Sequence, residues 1–411
     1  MRAYERLIKY TAYPSASNEH SNTCPSTKEQ IVFGQDLVKE MIEIGISDAC
    51  IDDNGYVYGT IPSNIDREDA PIIGFIAHMD VVDVVPYSNI KTNIIKNYDG
   101  KDIVLNKELD IVMKVKDYES LTDYVGKDLL VTDGTTLLGA DDKAGIAEIL
   151  TFAQILINDD SIKHGTIKIG FTPDEEIGSG ADLFDIEKFG ADFAYTCDGG
   201  AFGEVEYETF NAASLNVTIQ GLNIHPGSAK DKMINSLMVG HEFIEMLPKL
   251  ECPEKTSGYE GFYHIDYING NVEKTEISGI IRDHDINLLN NKKEYVHKIA
   301  DELNNKYGKN TVVVETKDSY YNMKDKILPN YHLIEVAQEV IKECGRQPIT
   351  LPVRGGTDGC RLSYMGLPCP NLGTGSHNCH GKFEYTCIDD MDLAVTQLIK
   401  IVEKYATIVI K

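Results

Sequence analysis

The most informative stretch of this chain is Ile167-Lys168-Ile169-Gly170-Phe171-Thr172-Pro173-Asp174-Glu175-Glu176-Ile177-Gly178. The apolar residues alternate with others as far as Phe171, which predicts a β-strand, and two adjacent glutamates follow the end of that strand. Neighbouring side chains at a strand end point in different directions, so Glu175 and Glu176 can have different tasks. A metal hydrolase needs this division, with one carboxylate as a ligand and a free one to take a proton from water. The alternative is an acidic, solvated turn, which is the better interpretation for an isolated pair.

A second predicted strand ends in a histidine. The apolar run from Ile72 to Ala77 is typical of a strand buried on both faces, and His78-Met79-Asp80 follows it. Because His78 and Asp80 project on the same side, Asp80 can accept a hydrogen bond from the ring nitrogen that does not coordinate a metal. A lone histidine would more often be a core residue, whereas His-x-Asp at a strand end favours a metal ligand with its orienting partner.

An acidic turn precedes a predicted helix. The segment Gly139-Ala140-Asp141-Asp142-Lys143-Ala144-Gly145 leads into apolar residues of helical spacing. Asp141 is therefore predicted either to cap the helix N-terminus or to bridge two metal ions with its two oxygens, and the two uses can coexist.

Two further segments carry possible ligands. Asp198 ends a short predicted strand, and the two glycines that follow let the backbone approach a ligand closely. Near the other end of the chain, a Gly-rich loop contains His377 and His380, and their spacing alone does not choose which of them is a ligand.

These dispersed residues can converge. In an open α/β sheet, ligands bind outside the carboxyl ends of the strands. The residues that would meet there are His78, Asp80, Asp141, Glu175, Glu176, Asp198 and His380. Nitrogen and oxygen donors without paired cysteines suit two zinc ions, or manganese or cobalt in the same cage. A carboxylate-bridged pair of ions would be roughly 3.5 to 4 Å apart.

The motifs in this chain resemble those of the M20 metallopeptidases, in the expected order over nearly the whole length. The resemblance rests on the segments 78–80, 139–145, 173–178, 197–200 and 377–381, with support from 25–27, 224–230, 281–285 and 353–359. It implies a dizinc aminopeptidase that removes the N-terminal residue from tripeptides. It also implies a homodimer.

The resemblance implies a division of the metal ligands between two zinc ions. His78 and Asp198 would complete one site, and Glu176 and His380 would complete the other. Asp141 would bridge the two ions.

The resemblance implies catalytic roles for Asp80 and Glu175 and substrate-binding roles for three further residues. Asp80 would orient His78, and Glu175 would be the general base that activates water and later protonates the leaving amine. His225 would help to stabilise the oxyanion, often in the partner subunit's site. Arg282 and Arg354 would hold the carboxylate and backbone of the peptide.

Each substrate-binding residue has a simpler alternative. Arg282 lies beside Asp283 and Asp285, where a surface ion pair is an adequate explanation. His225 precedes a proline and could merely shape a loop. The glycines after Arg354 could form a nest of backbone amides, which suits a carboxylate but also a phosphate.

The order of predicted elements divides the chain into three segments. Residues 1–208 alternate strands and helices, which predicts an α/β fold with an open mixed sheet and helices on both faces. The M20 resemblance implies that this fold is of the zinc-exopeptidase type. Residues 209–320 predict the order strand-helix-strand-strand-helix-strand, an inserted ferredoxin-like α+β domain. The M20 resemblance implies that this domain is a lid or dimerisation domain. Residues 321–411 return to the alternating pattern and complete the catalytic domain.

Local signals add detail to this division. Ser26-Thr27-Lys28-Glu29 predicts a capping box for a helix that ends near Gly45. An inserted four-stranded sheet exposes an edge, and pairing of edges between two chains is one way to protect it.

Composition favours a cytoplasmic enzyme. The 411 residues carry 65 acidic and 39 basic side chains, a net charge of −26 that argues against a general binder of nucleic acid or anionic membranes. The nine cysteines have no short-spaced pairs, so reduced thiols are expected rather than a disulfide framework. The N-terminus lacks an apolar signal core, and no apolar run is long enough to span a bilayer.

Other functions remain as alternatives to the tripeptide aminopeptidase. A dipeptidase or an N-acyl amino-acid deacylase would share the metal cage and differ in how the ends of the substrate are held. A metal-dependent peptide-binding protein would need the ligands but not the free base, so Glu175 argues against it. A phosphoesterase is disfavoured by the acidic balance and by the lack of a Lys/Arg cluster around the motifs.

Overall fold

The computed structural model describes residues 1–409, which fold into two compact units. The first contains Met1–Tyr207, Asp325–Leu351 and the described residues from Thr357, and the second contains Glu208–Lys324 with Pro352–Gly356. The predicted division at 1–208, 209–320 and 321–411 stays a prediction. The compact units differ from it mainly in Pro352–Gly356, which was predicted to lie in the catalytic domain.

The elements of the described chain alternate along much of its length. The strands are β1 (Cys50–Ile51), β2 (Val57–Ile61), β3 (Ile73–His78), β4 (Thr92–Ile95), β5 (Ile103–Asn106), β6 (Ile111–Met113), β7 (Leu129–Thr132), β8 (Ile167–Thr172), β9 (Phe193–Gly199), β10 (Val205–Glu206), β11 (Asn211–Gln220), β12 (Phe262–Gly270), β13 (Lys274–Asp283), β14 (Val312–Tyr320), β15 (Asn371–Gly373), β16 (Ser376–His377) and β17 (Tyr385–Cys387). The helices are α1 (Ala3–Tyr10), α2 (Lys28–Ile44), α3 (Ala140–Asn158), α4 (Ile186–Phe189), α5 (Ser236–Met246), α6 (Ile286–Tyr307), α7 (Lys324–Ile327), α8 (His332–Glu343), α9 (Asp358–Met365) and α10 (Ile388–Tyr405).

The first unit is built on a seven-stranded mixed sheet in the order β1-β2-β8-β3-β9-β15-β10. The four central strands β8, β3, β9 and β15 are parallel, and the outer pairs are antiparallel. His78 pairs in register with Thr172, so β3 and β8 end at the same edge. The predicted α/β class with an open mixed sheet is confirmed.

Helices cover both faces of this sheet. On one face Phe75 of β3 packs against Phe152 of α3, with ring centroids 5.2 Å apart. On the other face, residues from α4, α9 and the connecting loops bury Ile76 and Ala194. Successive residues of β3 therefore meet different helices, which explains why its sequence is apolar without interruption. A smaller antiparallel sheet in the order β16-β17-β7-β4 and a β5-β6 hairpin complete the unit.

The second unit has the predicted order strand-helix-strand-strand-helix-strand. Its four strands form an antiparallel sheet in the order β12-β13-β11-β14, with α5 and α6 packed on its apolar side. Alternate residues of β11 are buried, including Leu215, Val217 and Ile219, so one face of the sheet makes the core of this unit. The strands β12 and β14 lie at its edges.

The predicted capping box at the start of α2 is wrong. The helix ends near Gly45 as predicted, since Gly45 follows its last residue in the left-handed conformation at φ 113°. However, neither the Ser26 nor the Thr27 hydroxyl caps the N-terminus of the helix. The Ser26 Oγ donates to Asp174 Oδ1 at 2.5 Å, and the Thr27 Oγ1 donates to the Ala16 carbonyl oxygen at 2.8 Å. These hydroxyls join distant segments, which a local sequence pattern does not reveal.

No helix among residues 1–409 combines the length and the hydropathy that crossing a bilayer would require.

Substitution of Gly145 tests how closely α3 packs against β9. A Cβ at Gly145 would overlap the Cys197 carbonyl oxygen and lie 2.5 Å from Asp142 Oδ1, because α3 crosses close to β9. We expect Gly145→Ala to lower the free energy of unfolding by roughly 3 kcal/mol, measured by urea denaturation. Gly240→Ala in α5 is the control, since its Cβ would meet neighbours no closer than 3.4 Å. There alanine should stabilise by about 0.5 to 1 kcal/mol, and equal losses in both variants would contradict the explanation.

Candidate metal centre

His78 stands at the carboxyl end of β3 with its side chain only 2% exposed. Its Nδ1 lies 3.1 Å from the Asp80 carbonyl oxygen and 3.3 Å from Asp80 Oδ1. Its Nε2 lies 2.9 Å from Asp141 Oδ1 and 3.4 Å from Asp198 Oδ1. With Nδ1 donating to Asp80, the lone pair of Nε2 points to the carboxylates, which is the orientation of a metal ligand.

Asp141 lies between two histidines. Its Oδ1 is 2.9 Å from His78 Nε2, and its Oδ2 is 3.0 Å from His380 Nε2. Capping, the other predicted use of Asp141, is performed by its neighbour: Asp142 Oδ1 accepts from the Gly145 amide at 3.2 Å. The two oxygens of Asp141 are therefore free to face different partners, as a bridging carboxylate requires.

The two histidines of the Gly-rich loop have different surroundings. His380 Nε2 lies 3.0 Å from Glu176 Oε2 as well as from Asp141, and hydrogen bonds to these two carboxylates raise the pKa of His380 to about 10. His377 instead lies with its Nε2 2.6 Å from the Tyr124 hydroxyl, and burial lowers the pKa of His377 to about 4. The structure thus brings His380 to the cluster and keeps His377 outside it.

Asp80 holds the turn that carries both glutamates. Its fully buried carboxylate accepts from the Glu175 amide at Oδ1 and from the Glu176 amide at Oδ2, each at 3.0 Å. The predicted contact of Asp80 with His78 is present, but the hydrogen bonds to the turn were not predicted. One carboxylate therefore sets the positions of residues from both β3 and the segment after β8.

The other end of the same turn is anchored to α2. Asp174 Oδ2 accepts from the Ser26 amide at 2.7 Å, and Asp174 Oδ1 accepts from Gln30 Nε2 at 2.7 Å. Asp174 adopts φ 60°, the left-handed conformation, which turns the chain after β8. Sequence reasoning missed Asp174 and Gln30, because their pairing joins segments far apart in the chain.

The two glutamates point to different places, as the sequence predicted. Glu176 faces His380 with Oε2, and its buried Oε1 has no hydrogen-bond partner within residues 1–409. Glu175 instead faces His78, with its Oε2 3.9 Å from His78 Nε2. Burial, with Asp198 nearby, raises the pKa of Glu175 well above its usual value. Burial likewise raises the pKa of Glu176 to about 7.

Asp198 is held by a chain of hydrogen bonds at the end of β9. Its amide donates to Asn371 Oδ1 at 3.1 Å, and Asn371 Nδ2 donates to Glu206 Oε2 at 2.7 Å. Burial raises the pKa of Asp198 to about 7. Asn371 and Glu206 were not predicted, since neither belongs to a motif that names a ligand.

The cluster fits divalent cations. Ligand atoms within 4.8 Å of one another are offered by two groups of residues: His78 with Glu175 and Asp198, and His78 with Asp141 and Glu176. Several buried carboxylates and an unpartnered oxygen are costly together unless positive charge offsets them. Nitrogen and oxygen donors of this kind suit zinc, manganese or cobalt. The arrangement can hold such ions and leave one carboxylate for proton transfer.

The three predicted substrate-binding residues belong to the second unit. His225 is exposed, and its Nδ1 accepts from the Gly227 amide at 3.2 Å. Arg282 donates to the carbonyl oxygens of Ala213 and Ile281 at 3.2 and 3.1 Å and lies over the Tyr320 ring. Within residues 1–409 Arg282 forms no ion pair with its acidic neighbours: Asp283 Oδ2 lies 3.8 Å from Lys292 Nζ, and Asp285 caps α6.

Arg354 has several protein partners within the second unit. Its Nη1 donates to the carbonyl oxygens of Gly258 and Glu260 at 2.9 and 2.7 Å, and its Nη2 donates to Thr256 Oγ1 at 2.8 Å. The guanidinium also lies over the Phe210 ring at 5.1 Å. Most of its donors are thus engaged in holding the segment 256–260.

Residues 130–404 match Peptidase family M20/M25/M40. The chain is also 54% identical over 401 residues to a peptidase T from Clostridium novyi, and the match covers 98% of each chain. The protein belongs to this family. The M20 resemblance in the sequence is confirmed, and this family member is a peptide hydrolase. The non-enzyme alternative is thereby set aside.

Solved structures share the fold of this M20 member. They include an aminopeptidase from Bacillus cereus, with a TM-score of 0.75 at 23% identity over 98% of this chain and 99% of the other. A tripeptidase from Staphylococcus aureus gives 0.76 at 22% identity over 98% of both chains. A Bacillus subtilis protein described as a dinuclear metal-binding M20 peptidase gives 0.58 at 14% identity, also over 98% of both.

Proposed function

We propose that this peptidase is a dinuclear metal aminopeptidase that removes the N-terminal residue from tripeptides. The observation that carries the proposal is the carboxylate of Asp141, which faces His78 with one oxygen and His380 with the other. The peptidase T relative and the tripeptidase and aminopeptidase structures support the choice of substrate.

Five residues would hold two zinc ions, or manganese or cobalt in their place. His78 and Asp198 would bind one ion, Glu176 and His380 the other, and Asp141 both. The unpartnered Oε1 of Glu176 supports this assignment, because a bound cation would satisfy it. Bound ions would polarise the scissile carbonyl and ease ionisation of water.

Glu175 is the proposed general base. It accepts a proton from the attacking water at its carboxylate and later donates that proton to the amine nitrogen of the leaving peptide. Its raised pKa suits both halves of this task, since a carboxylate of ordinary acidity is a poor base at neutral pH. Asp80 keeps Glu175 in place through the amide of the turn.

His225, Arg282 and Arg354 are the proposed substrate-binding residues of the second unit. Because the Nδ1 of His225 accepts from Gly227, its Nε2 carries the proton and can donate to a carbonyl oxygen that gains negative charge. Arg282 is proposed to bind the carboxylate of the peptide. Arg354 can bind the peptide only through those N–H groups that are not already hydrogen-bonded to residues 256–260.

A cytoplasmic homodimer is proposed for the assembled protein. All nine cysteines lie within residues 1–409 and are free thiols there, which suits a reducing compartment. The edge strands β12 and β14 offer backbone groups that a second chain could pair with. Light scattering during gel filtration should give twice the chain mass, and a monomer would remove this part of the proposal.

A panel of substrates tests the proposed function. We expect zinc-loaded protein to release the first residue of an unblocked tripeptide, to leave the N-acetylated tripeptide and longer peptides intact, and to stop when a chelator removes the metal. Preferential cleavage of a dipeptide or an N-acyl amino acid would keep the metal chemistry and replace the substrate. Undiminished tripeptide cleavage after complete, verified removal of metal would overturn the mechanism.

A further inference from the structure

Glu384 is a buried carboxylate that holds the loop before α3. Its side chain accepts three hydrogen bonds, all from backbone amides: Oε2 accepts from Leu138 and from Gly139 at 2.7 Å each, and Oε1 accepts from Asp141 at 3.1 Å. It forms no ion pair within residues 1–409, and it is only 2% exposed. A buried carboxylate without a direct ion pair is costly, so these amide hydrogen bonds compensate for its burial, together with the charge of the buried Lys143 at a longer distance.

The loop has no regular structure of its own at this point. Gly139 has φ 74°, and Asp141 has φ −83° with ψ 105°, which lies outside the helical region although α3 has formally begun. The amides at the start of a helix, and those of an irregular segment before it, have no hydrogen-bond partner within the helix itself. The orientation of the Asp141 backbone, and with it the direction of the Asp141 carboxylate, therefore depends on Glu384.

Glu384 also lies in the segment that supplies His380. The segment 380–384, before β17, thus contributes the His380 imidazole and also holds the Asp141 backbone through Glu384. The Asp141 Oδ2 lies 3.0 Å from His380 Nε2. A change in the Glu384 side chain would shift Asp141 relative to His380 without removing either ligand.

We propose that Glu384 is a positioning residue, which sets the backbone of Asp141 so that its carboxylate can join the two metal ions. This inference rests on the proposed dinuclear site. It goes beyond that site by assigning the metal affinity partly to a residue that touches no metal and no substrate. Partners of this indirect kind typically change metal affinity by about 10- to 100-fold.

The substitution Glu384→Gln isolates the contact with Asp141. A glutamine can keep its amide oxygen where Oε2 accepts from Leu138 and Gly139, but its NH2 group then faces the Asp141 amide, donor against donor. We expect zinc affinity, measured by competition with a chromophoric chelator on folded protein, to fall about 10- to 100-fold for at least one ion. Stability of the metal-free variant, measured by thermal unfolding, should change far less than its metal affinity.

Glu148→Gln is the matched control. Glu148 is also fully buried, lies on α3, and has an Oε1 without a hydrogen-bond partner among the described residues. We expect this control to bind zinc with the affinity of the unmodified protein. If Glu384→Gln does not fold, Glu384→Asp is measured instead, since its shorter side chain keeps the charge and loses reach.

The outcomes separate this inference from the proposed function. Native zinc affinity in a folded Glu384 variant, or an equal loss in Glu148→Gln, would overturn the positioning role. If the unmodified protein itself bound no metal, the proposed dinuclear site would fail, and Glu384 would have no metal to position.

Discussion

Glu175→Gln should greatly reduce turnover while both proposed metal ions stay bound. The amide cannot take a proton from water, yet it keeps the size of the side chain and the backbone bond to Asp80. General-base catalysis typically contributes about 10²- to 10⁴-fold, so kcat on a tripeptide should fall by at least that range, with zinc content near that of the unmodified protein. Activity and metal content are measured on the same preparation.

The neighbouring glutamate is the matched control for this prediction. Glu176→Gln replaces a residue of the same turn, one that lies 3.0 Å from His380 and is the proposed ligand. We expect it to lose metal as well as activity. If Glu175→Gln lost both ions and Glu176→Gln kept them, the two roles would have to be exchanged.

Asp141→Asn should disrupt the proposed dinuclear centre. The substitution replaces one of the two oxygens that face His78 and His380 by an NH2 group, so one of the two ions loses its shared ligand. Metal ions contribute several kcal/mol to hydrolysis, and each 1.36 kcal/mol is tenfold in rate. We therefore expect kcat/KM to fall by more than about 10³-fold, together with a clear loss of zinc by atomic absorption.

Asp142 provides the control for this second prediction. Its carboxylate caps α3 through the Gly145 amide and accepts from the His78 amide, but it does not lie between the histidines. Asp142→Asn should lower the free energy of unfolding by about 1 to 3 kcal/mol, as loss of a buried hydrogen bond does, and should leave the zinc content unchanged. Equal metal loss in both variants would mean that the loop as a whole, and not the bridging oxygens, retains the ions.

The sequence predicted those parts of the molecule that local patterns encode. His78, Glu175, Glu176 and Asp198 follow apolar runs, and β3, β8 and β9 end one or two residues after those runs. The convergence of their side chains follows from the rule that parallel strands present their carboxyl ends at one edge. The order of elements in the second unit was predictable for the same reason, since each element has its own periodicity.

The supporting contacts were not predictable, because each joins segments that are distant along the chain. Gln30 with Asp174 and Asn371 with Asp198 are ordinary polar pairs until the fold brings them together. The start of α2 was mispredicted for the same reason. Serine is a common capping residue, but Ser26 makes a tertiary contact with Asp174 instead. Between the two histidines of the Gly-rich loop, the spacing could not choose His380.

The strand order of the first unit has a consequence for synthesis of the protein on the ribosome. In the sheet, β15 lies between β9 and β10. Along the chain it comes after both of them, and the main segment of the second unit lies in between. The ribosome adds about 5 to 20 residues per second. The position of β15 in the sheet would therefore stay empty for on the order of 10 s after β10 has been made. His380 emerges later still. With the proposed set of metal ligands, the newborn chain cannot hydrolyse peptides before its last strands arrive. Until then, the open strand edges are the part of the chain that a chaperone would protect.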